Sequence, residues 1–271
     1  MSQPEKLRLV SYLAPNMFGF YEAVAAYLSR VFNLETQLIQ SQYDPLEDPM
    51  LLQDKLDIAF ICGLPFARHQ QVANQLQAVV APVMQASRYQ NCAVYFSDII
   101  VNANSNFNSF ADLKGKKFCY NDPGSNSGYN LVRQRLIKSN YPHNFFGQVM
   151  QSGSHQNSMR WVVEGVAECA AIDSTVLEQE LRDFPQLSDH LRVIEAIGPC
   201  AMPPVVGARR LGSAFLEALQ SALCAPDREL QAVMERSHIQ GYVAVQSADY
   251  NAIATIYDTA VKAGYLVLGN S

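Results

Sequence analysis

Residues 117–130 read KFCYNDPGSNSGYN, and the fold class follows from how this stretch changes character along its length. Lys117–Tyr120 is a short strand-like run, and Asn121–Ser127 is a loop of turn formers. From Gly128 to Ser139, Tyr129, Val132, Leu136 and Ile137 recur on one helical face. The same grammar continues downstream. Gln148–Gln151 reads as a strand, Ser152-Gly153-Ser154-His155 as a loop, Gln156–Glu164 as a helix, and Glu168–Ile172 as a strand ending at Asp173-Ser174. Strands alternating with helices predict an α/β fold in which parallel strands present their loops at their carboxyl ends.

The first third follows the same order. Leu7–Leu13 is a buried-strand pattern broken by Ala14-Pro15-Asn16, and Val24, Ala25, Leu28 and Phe32 place a helix over 21–32. A strand over Thr36–Ile39, the turn-rich YDPLEDP and a short helix over Met50–Lys55 follow. The next strand, Leu56–Cys62, is closed by Gly63-Leu64-Pro65. DKLDIAFICG (54–63) and GVAECAAIDS (165–174) resemble each other, each closing a β-α-β-α-β series. Between them lie two extended runs, CAVYFSDIIV (92–101) and Leu191–Ala196. They predict two lobes, a discontinuous first one of 1–98 plus 200–271 and an inserted one of 99–199. Helices over 212–223, 228–235 and 248–263 are expected to pack around the first lobe.

Composition narrows the function. The formal net charge of −5 argues against a nucleic-acid binder, so any anion site must be local, built from backbone N–H groups and hydroxyls. Leu7–Leu13 is too short for a signal-peptide core, and no apolar run approaches the ~18 residues that span a bilayer. The expectation is no membrane insertion and a cytoplasmic chain as read, or a periplasmic one if a leader was removed. The six cysteines form no C-x-x-C pair and read as buried thiols, which favours a reducing compartment, although their even number leaves disulfides open.

The candidate chemistry sits in the strand-to-helix turns. In YNDPGSNSGYN, Ser125 or Ser127 can cap the helix and leave its first N–H groups and positive dipole end facing the loop. Such a turn binds a phosphate-sized anion without lysine, and it equally suits an ordinary cap with no ligand. No Gly-Lys-Ser/Thr follows, so it is not a P-loop. His155 occupies the next equivalent turn, where it can donate to an anion or serve as a solvated or capping residue. Asp173 can accept from a ligand amine or hydroxyl, or simply cap the helix that follows. Tyr12, Asn16, Tyr43 and Tyr95 would add aromatic and polar groups; any single tyrosine suits core or surface better than a pocket, and only their joint placement in loops facing one cleft argues for a site. G-x-S-x-G, H-E-x-x-H, metal-spaced histidines and dinucleotide fingerprints are all absent, so no catalytic residue, metal or cofactor is expected.

Taken in order, VSYLAPNMFGFYEAVAAYL, YDPL with LDIAFICGLP, VYFSDIIV, FADLKGKKFCYNDPGSNSGYN, SGSHQNSM and AAIDS resemble the phosphonate-binding family of periplasmic solute-binding proteins. The resemblance runs from Leu7 to about Pro204. It implies a two-lobed type II binding fold with two hinge strands, each lobe a mostly parallel sheet flanked by helices, closing around a small phosphate, phosphite or phosphonate anion. It further implies that Ser125, Asn126 and Ser127 hold the anionic oxygens, with an amide at Asn126 where the family often has threonine. By the same resemblance His155 contacts the anion, Tyr43 and Tyr95 line the cleft, and Asp173 meets the amine of an aminophosphonate. The implied partner is an ABC permease, or a regulator if the protein is a sensor. The competing class is a cytoplasmic enzyme on the same scaffold, of the menaquinone or thiamin pathways, for which His155 with Asp173 is the only pairing to test.

Overall fold

The computed structural model describes residues 6–269. Residues 1–5, which precede the apolar run Leu7–Leu13 read above for an export leader, and residues 270–271 lie outside them. The strands are β1 (Lys6–Ser11), β2 (Glu35–Gln40), β3 (Ile58–Phe60), β4 (Leu76–Met84), β5 (Val94–Asn102), β6 (Lys117–Tyr120), β7 (Gln148–Gln151), β8 (Cys169–Asp173), β9 (Leu191–Ala201), β10 (Val205–Ala208) and β11 (Ile239–Ala244). The helices are α1 (Phe18–Phe32), α2 (Pro49–Leu52), α3 (Gly63–Val72), α4 (Leu131–Lys138), α5 (His155–Val163), α6 (Ser174–Asp183), α7 (Ser213–Cys224), α8 (Arg228–Arg236) and α9 (Asn251–Lys262). None is long and apolar enough to cross a membrane among the described residues.

The chain divides into two compact units, Met1–Val94 with Ala201–Asn251, and Tyr95–Cys200 with Ala252–Ser271. In the first unit the sheet order is β11-β4-β10-β3-β1-β2. Only β1 with β2 and β1 with β3 are parallel; β10 and β11 run antiparallel to their neighbours. The second unit has the order β7-β6-β8-β5-β9, with β6 parallel to both β7 and β8 and β5 antiparallel to β8. Both sheets are thus mixed rather than mostly parallel. The parallel neighbours β1 and β2 are joined through α1, and β6 and β7 through α4, the helical crossovers that parallel pairing requires.

Local chemistry explains several elements. Helix α1 buries Phe20, Tyr21, Val24, Ala25, Tyr27 and Leu28 along one face and stops at Asn33, whose left-handed φ of 51° ends the helical path. Gly63-Leu64-Pro65, read above as a closing turn, instead opens α3. A proline in the first helical turn gives up an N–H that has no intrahelical partner there. Strands β4 and β11 escape the sequence reading because Pro82 interrupts one apolar run and Gly241 the other; Pro82 and Tyr242 face each other in register.

The carboxyl terminus departs from the expected division. Residues 252–271 belong with the second unit rather than the first. Leu268 is buried in that unit's core with Phe110, Phe118, Tyr129 and Phe145, and its N–H donates to the Tyr129 hydroxyl at 2.9 Å. Tyr265 donates to the Tyr141 carbonyl at 2.5 Å. Such long-range partners leave no periodic trace in the sequence.

In the first unit, Asp57 ties the start of β3 to two other segments. One carboxylate oxygen accepts the Arg8 N–H at 2.7 Å and the other accepts from Arg210 at 2.7 Å, with Asp57 only 4% exposed. Asp57→Ala is expected to lower the unfolding free energy by about 2–3 kcal/mol, because it strands a buried N–H and a guanidinium. Chemical denaturation checks this; an unchanged midpoint would mean that water replaces the carboxylate.

Candidate functional site

Because β6 is parallel to both β7 and β8, three strand-to-helix turns leave the same edge of the second unit's sheet side by side. The central turn begins with Ser125, whose hydroxyl accepts the Gly128 N–H at 2.9 Å. Residues Asn126–Asn130 then form a π-helical turn before α4 begins. The wide turn matches a steric demand at Gly128: a Cβ there would lie 1.9 Å from the Asn121 Oδ1. The Ser127 carbonyl is held from the other side by the Ser97 hydroxyl of β5 at 2.7 Å.

Ser125, Asn126 and Ser127 are all buried, at 5%, 0% and 2% exposure. The second turn is stitched to the first through Ser152 N–H to the Tyr120 carbonyl (2.8 Å) and Gly153 N–H to the Asn121 carbonyl (2.9 Å). Ser154 caps α5 by accepting the Asn157 N–H at 3.1 Å, which places His155 in the first helical turn. The His155 Nε2 lies 3.4 Å from the Ser127 Oγ, while its buried Nδ1 has no hydrogen-bond partner. In the third turn Asp173 caps α6, accepting from the Thr175 N–H at 2.8 Å and its hydroxyl at 2.7 Å. Tyr95 is buried, and its hydroxyl oxygen accepts from the Asn126 amide nitrogen at 2.8 Å.

The second unit therefore gathers Ser125, Asn126, Ser127, His155, Tyr95 and Asp173. In chemical terms the assembly offers hydroxyls, the head of a helix, a neutral imidazole and one carboxyl group. That set is suited to hydrogen-bonding an anion; Ser127 and His155 stand side by side, but among the described residues no third group orients the imidazole through its Nδ1. Among the described residues no group of three histidine, cysteine or acidic side chains could hold a metal ion.

The other three expected site residues lie in the first unit, at the carboxyl ends of β1 and β2. The Tyr12 hydroxyl donates to Asp48 at 3.0 Å, and Ser41 donates to the same carboxylate oxygen at 2.8 Å. Burial, with Asp48 beside it, pushes the Tyr12 phenol well above its ordinary value. Tyr43 is 63% exposed, its N–H donating to Ser41 at 3.2 Å, and Asn16 sits half-buried in the 3-10 turn after β1. Sequence reasoning passed over Asp48, Ser97, Asn121, Asn130 and Arg133. Asp48 stands in the quoted YDPLEDP, where Asp before Pro-Met-Leu is a helix-capping signal. Asn126, Asn130 and Arg133 are spaced four and three apart, a helical-face pattern.

Two buried groups carry opposite electrostatic penalties. Burial lowers His155 to about 4, because the imidazolium would lose its hydration. Burial also raises Asp173 to about 6, against the lowering effect of its bonds from Thr175. Neutral His155 favours the folded state above pH 6.5, and that advantage is lost as pH falls toward 4. The Asp173 carboxylate opposes folding above pH 6, and that cost is relieved as pH falls through 6 toward 4. The two therefore offset each other over the same range.

Asp173→Asn keeps a good helix cap but removes the charge. The variant is expected to gain up to about 2 kcal/mol near pH 8, a gain that vanishes toward pH 4. It should also lose stability more steeply on acidification, because the His155 effect then stands alone. Urea midpoints at several pH values test this, and a gain of equal size at every pH would contradict it.

Two mixed α/β units, each assembled from separate chain segments and carrying helix-heading turns at its parallel strand ends, are the type II periplasmic binding fold of solute-binding proteins. The chain belongs to the phosphonate-binding family, described as ABC transporter, phosphonate, periplasmic substrate-binding protein, whose sequence profile matches residues 10–250. The fold is similar to that of PhnD1 from Prochlorococcus marinus (MIT 9301) in complex with methylphosphonate. That match has a TM-score of 0.83 at 17% identity and covers 96% of this chain and 99% of that one. It is similar also to a binding protein component of an ABC phosphonate transporter from Pseudomonas aeruginosa, with a TM-score of 0.82, 17% identity and coverage of 97% and 88%. The alkanesulfonate-binding protein SsuA from Xanthomonas axonopodis pv. citri, bound to MOPS, matches with a TM-score of 0.67 at 19% identity over 98% and 96%. No functionally curated protein matches the chain in sequence. Membership of a substrate-binding family sets aside the enzyme alternative.

Proposed function

We propose that the protein binds a small phosphorus oxyanion, of the phosphonate or phosphite type, on the turn Ser125-Asn126-Ser127 with His155 beside it. The observation that carries this reading is the burial of that turn against a neutral histidine whose Nε2 lies 3.4 Å from the Ser127 hydroxyl. A buried helix head offers N–H groups without intrahelical partners, and the two serines and the imidazole add donors around them. Removal from water strengthens each such bond to an anion. Asp173 is the group we assign to the amine of an aminophosphonate. The family's periplasmic setting and ABC transporter role supply the proposed compartment and the proposed partner, a permease. All six cysteines are free, Cys119 and Cys169 buried and Cys92 and Cys224 exposed, which is compatible with either compartment.

A thermal-shift panel of phosphate, phosphite, methylphosphonate, aminoethylphosphonate and sulfate tests the ligand class. A ligand at ~100 times its dissociation constant adds about 2.7 kcal/mol, a shift of several degrees. Methylphosphonate or phosphite is expected to give the large shift. In the double variant Ser125→Ala/Ser127→Ala that shift should disappear while the protein stays folded, with about 1 kcal/mol lost through the missing cap. An unchanged shift in the double variant would remove this turn as the anion site.

A further inference from the structure

Arg133 is 1% exposed and lies on α4, directly behind the anion-holding turn. Its Nη2 donates to the Asn130 Oδ1 at 2.9 Å. The Asn130 Nδ2 donates in turn to the Asn126 Oδ1 at 2.9 Å, and the Asn126 Nδ2 donates to the Tyr95 hydroxyl oxygen at 2.8 Å and to the Cys200 sulfur at 3.3 Å. Asn126 and Asn130 are fully buried and Tyr95 is 1% exposed, so water cannot reorient the chain. A guanidinium has donors and no acceptor, and it cannot be deprotonated. Asn130 must therefore turn its oxygen to Arg133 and its nitrogen to Asn126, and Asn126 must repeat the choice. The direction of every bond in the chain is set at its arginine end. Aromatic faces of Tyr129 and Tyr257, each with its ring centre 5.0 Å from the guanidinium carbon, hold the cation in place.

We propose that Arg133 is a positioning residue for anion binding. Acting through Asn130, it locks Asn126 with its amide nitrogen toward Tyr95, so that Tyr95 accepts from the turn and keeps its own proton out of that bond. This inference rests on the anion site proposed above. An asparagine at position 126 then takes its orientation from the relay, whereas a hydroxyl there would rotate to suit its neighbours. A carbonyl oxygen turned toward Tyr95 would draw the phenolic proton inward and set an acceptor beside the anion.

Asn130→Asp tests the relay directly. The introduced carboxylate pairs with Arg133 but can only accept, so Asn126 must flip and Tyr95 must donate to it. Titration calorimetry with methylphosphonate, and with phosphite as second probe, is expected to show affinity about ten- to hundredfold weaker, the loss of one hydrogen bond to a charged group. The unfolding midpoint should be retained. Arg133→Met should weaken binding, and Arg133→Lys, which keeps a charged donor facing Asn130, should weaken it less. A purely structural arginine would instead give losses that track the unfolding midpoint. Wild-type affinity in folded Asn130→Asp overturns the relay and leaves the anion site standing; no anion binding by the wild-type protein overturns both.

Discussion

The closest packing constraint around the candidate site is at Gly128, where Asn121 leaves no space for a side chain. With the Asn121 side chain at that point, the backbone of residues 126–130 passes beneath it in a wide turn before α4 begins. The Ser125 hydroxyl closes the turn from its start and Ser97 holds it from β5. Once the turn is fixed, Ser127 lies against His155, and Asn126 lies between Tyr95 and Asn130. The site is a consequence of backbone path first and of side-chain identity second.

Parallel strands give this constraint its reach. With β6 between β7 and β8, helices α4, α5 and α6 begin along one edge, so their heads share one electrostatic environment. Helix heads favour anions and disfavour imidazolium, in keeping with a histidine held neutral and a serine-rich turn. Asp173 is the exception, a buried carboxyl that folding disfavours in its charged form. Under the proposed function, that cost is stability exchanged for recognition.

Much of this was legible in advance, for physical reasons. Strands β6 and β7 announce themselves through short apolar runs between turn formers, and the structure reproduces both ranges. Ser125 and Asp173 were readable as helix caps because capping is local, decided within four residues, and the same locality places the Ser154 cap in a segment read only as a loop. Helix α3 was missed because Gly-Leu-Pro suits a turn as well as a first helical turn. Asp48 and Ser97 were missed because their partners, Tyr12 and Ser127, lie 36 and 30 residues away. The carboxyl-terminal segment was assigned to the wrong unit for the same reason. Helical periodicity shows that a face will be buried without showing against what.

By itself the sequence determined the α/β alternation, the capped strand-to-helix turns and the family, since these depend on short-range pattern and on motifs in a set order. Only the tertiary structure decided that Tyr12 donates to Asp48, that residues 252–269 join the second unit, and that Arg133 bonds through Asn130 to the Ser125–Ser127 turn. A hydrogen bond's direction depends on which groups meet away from water, and residues far apart in sequence meet only when the chain has folded.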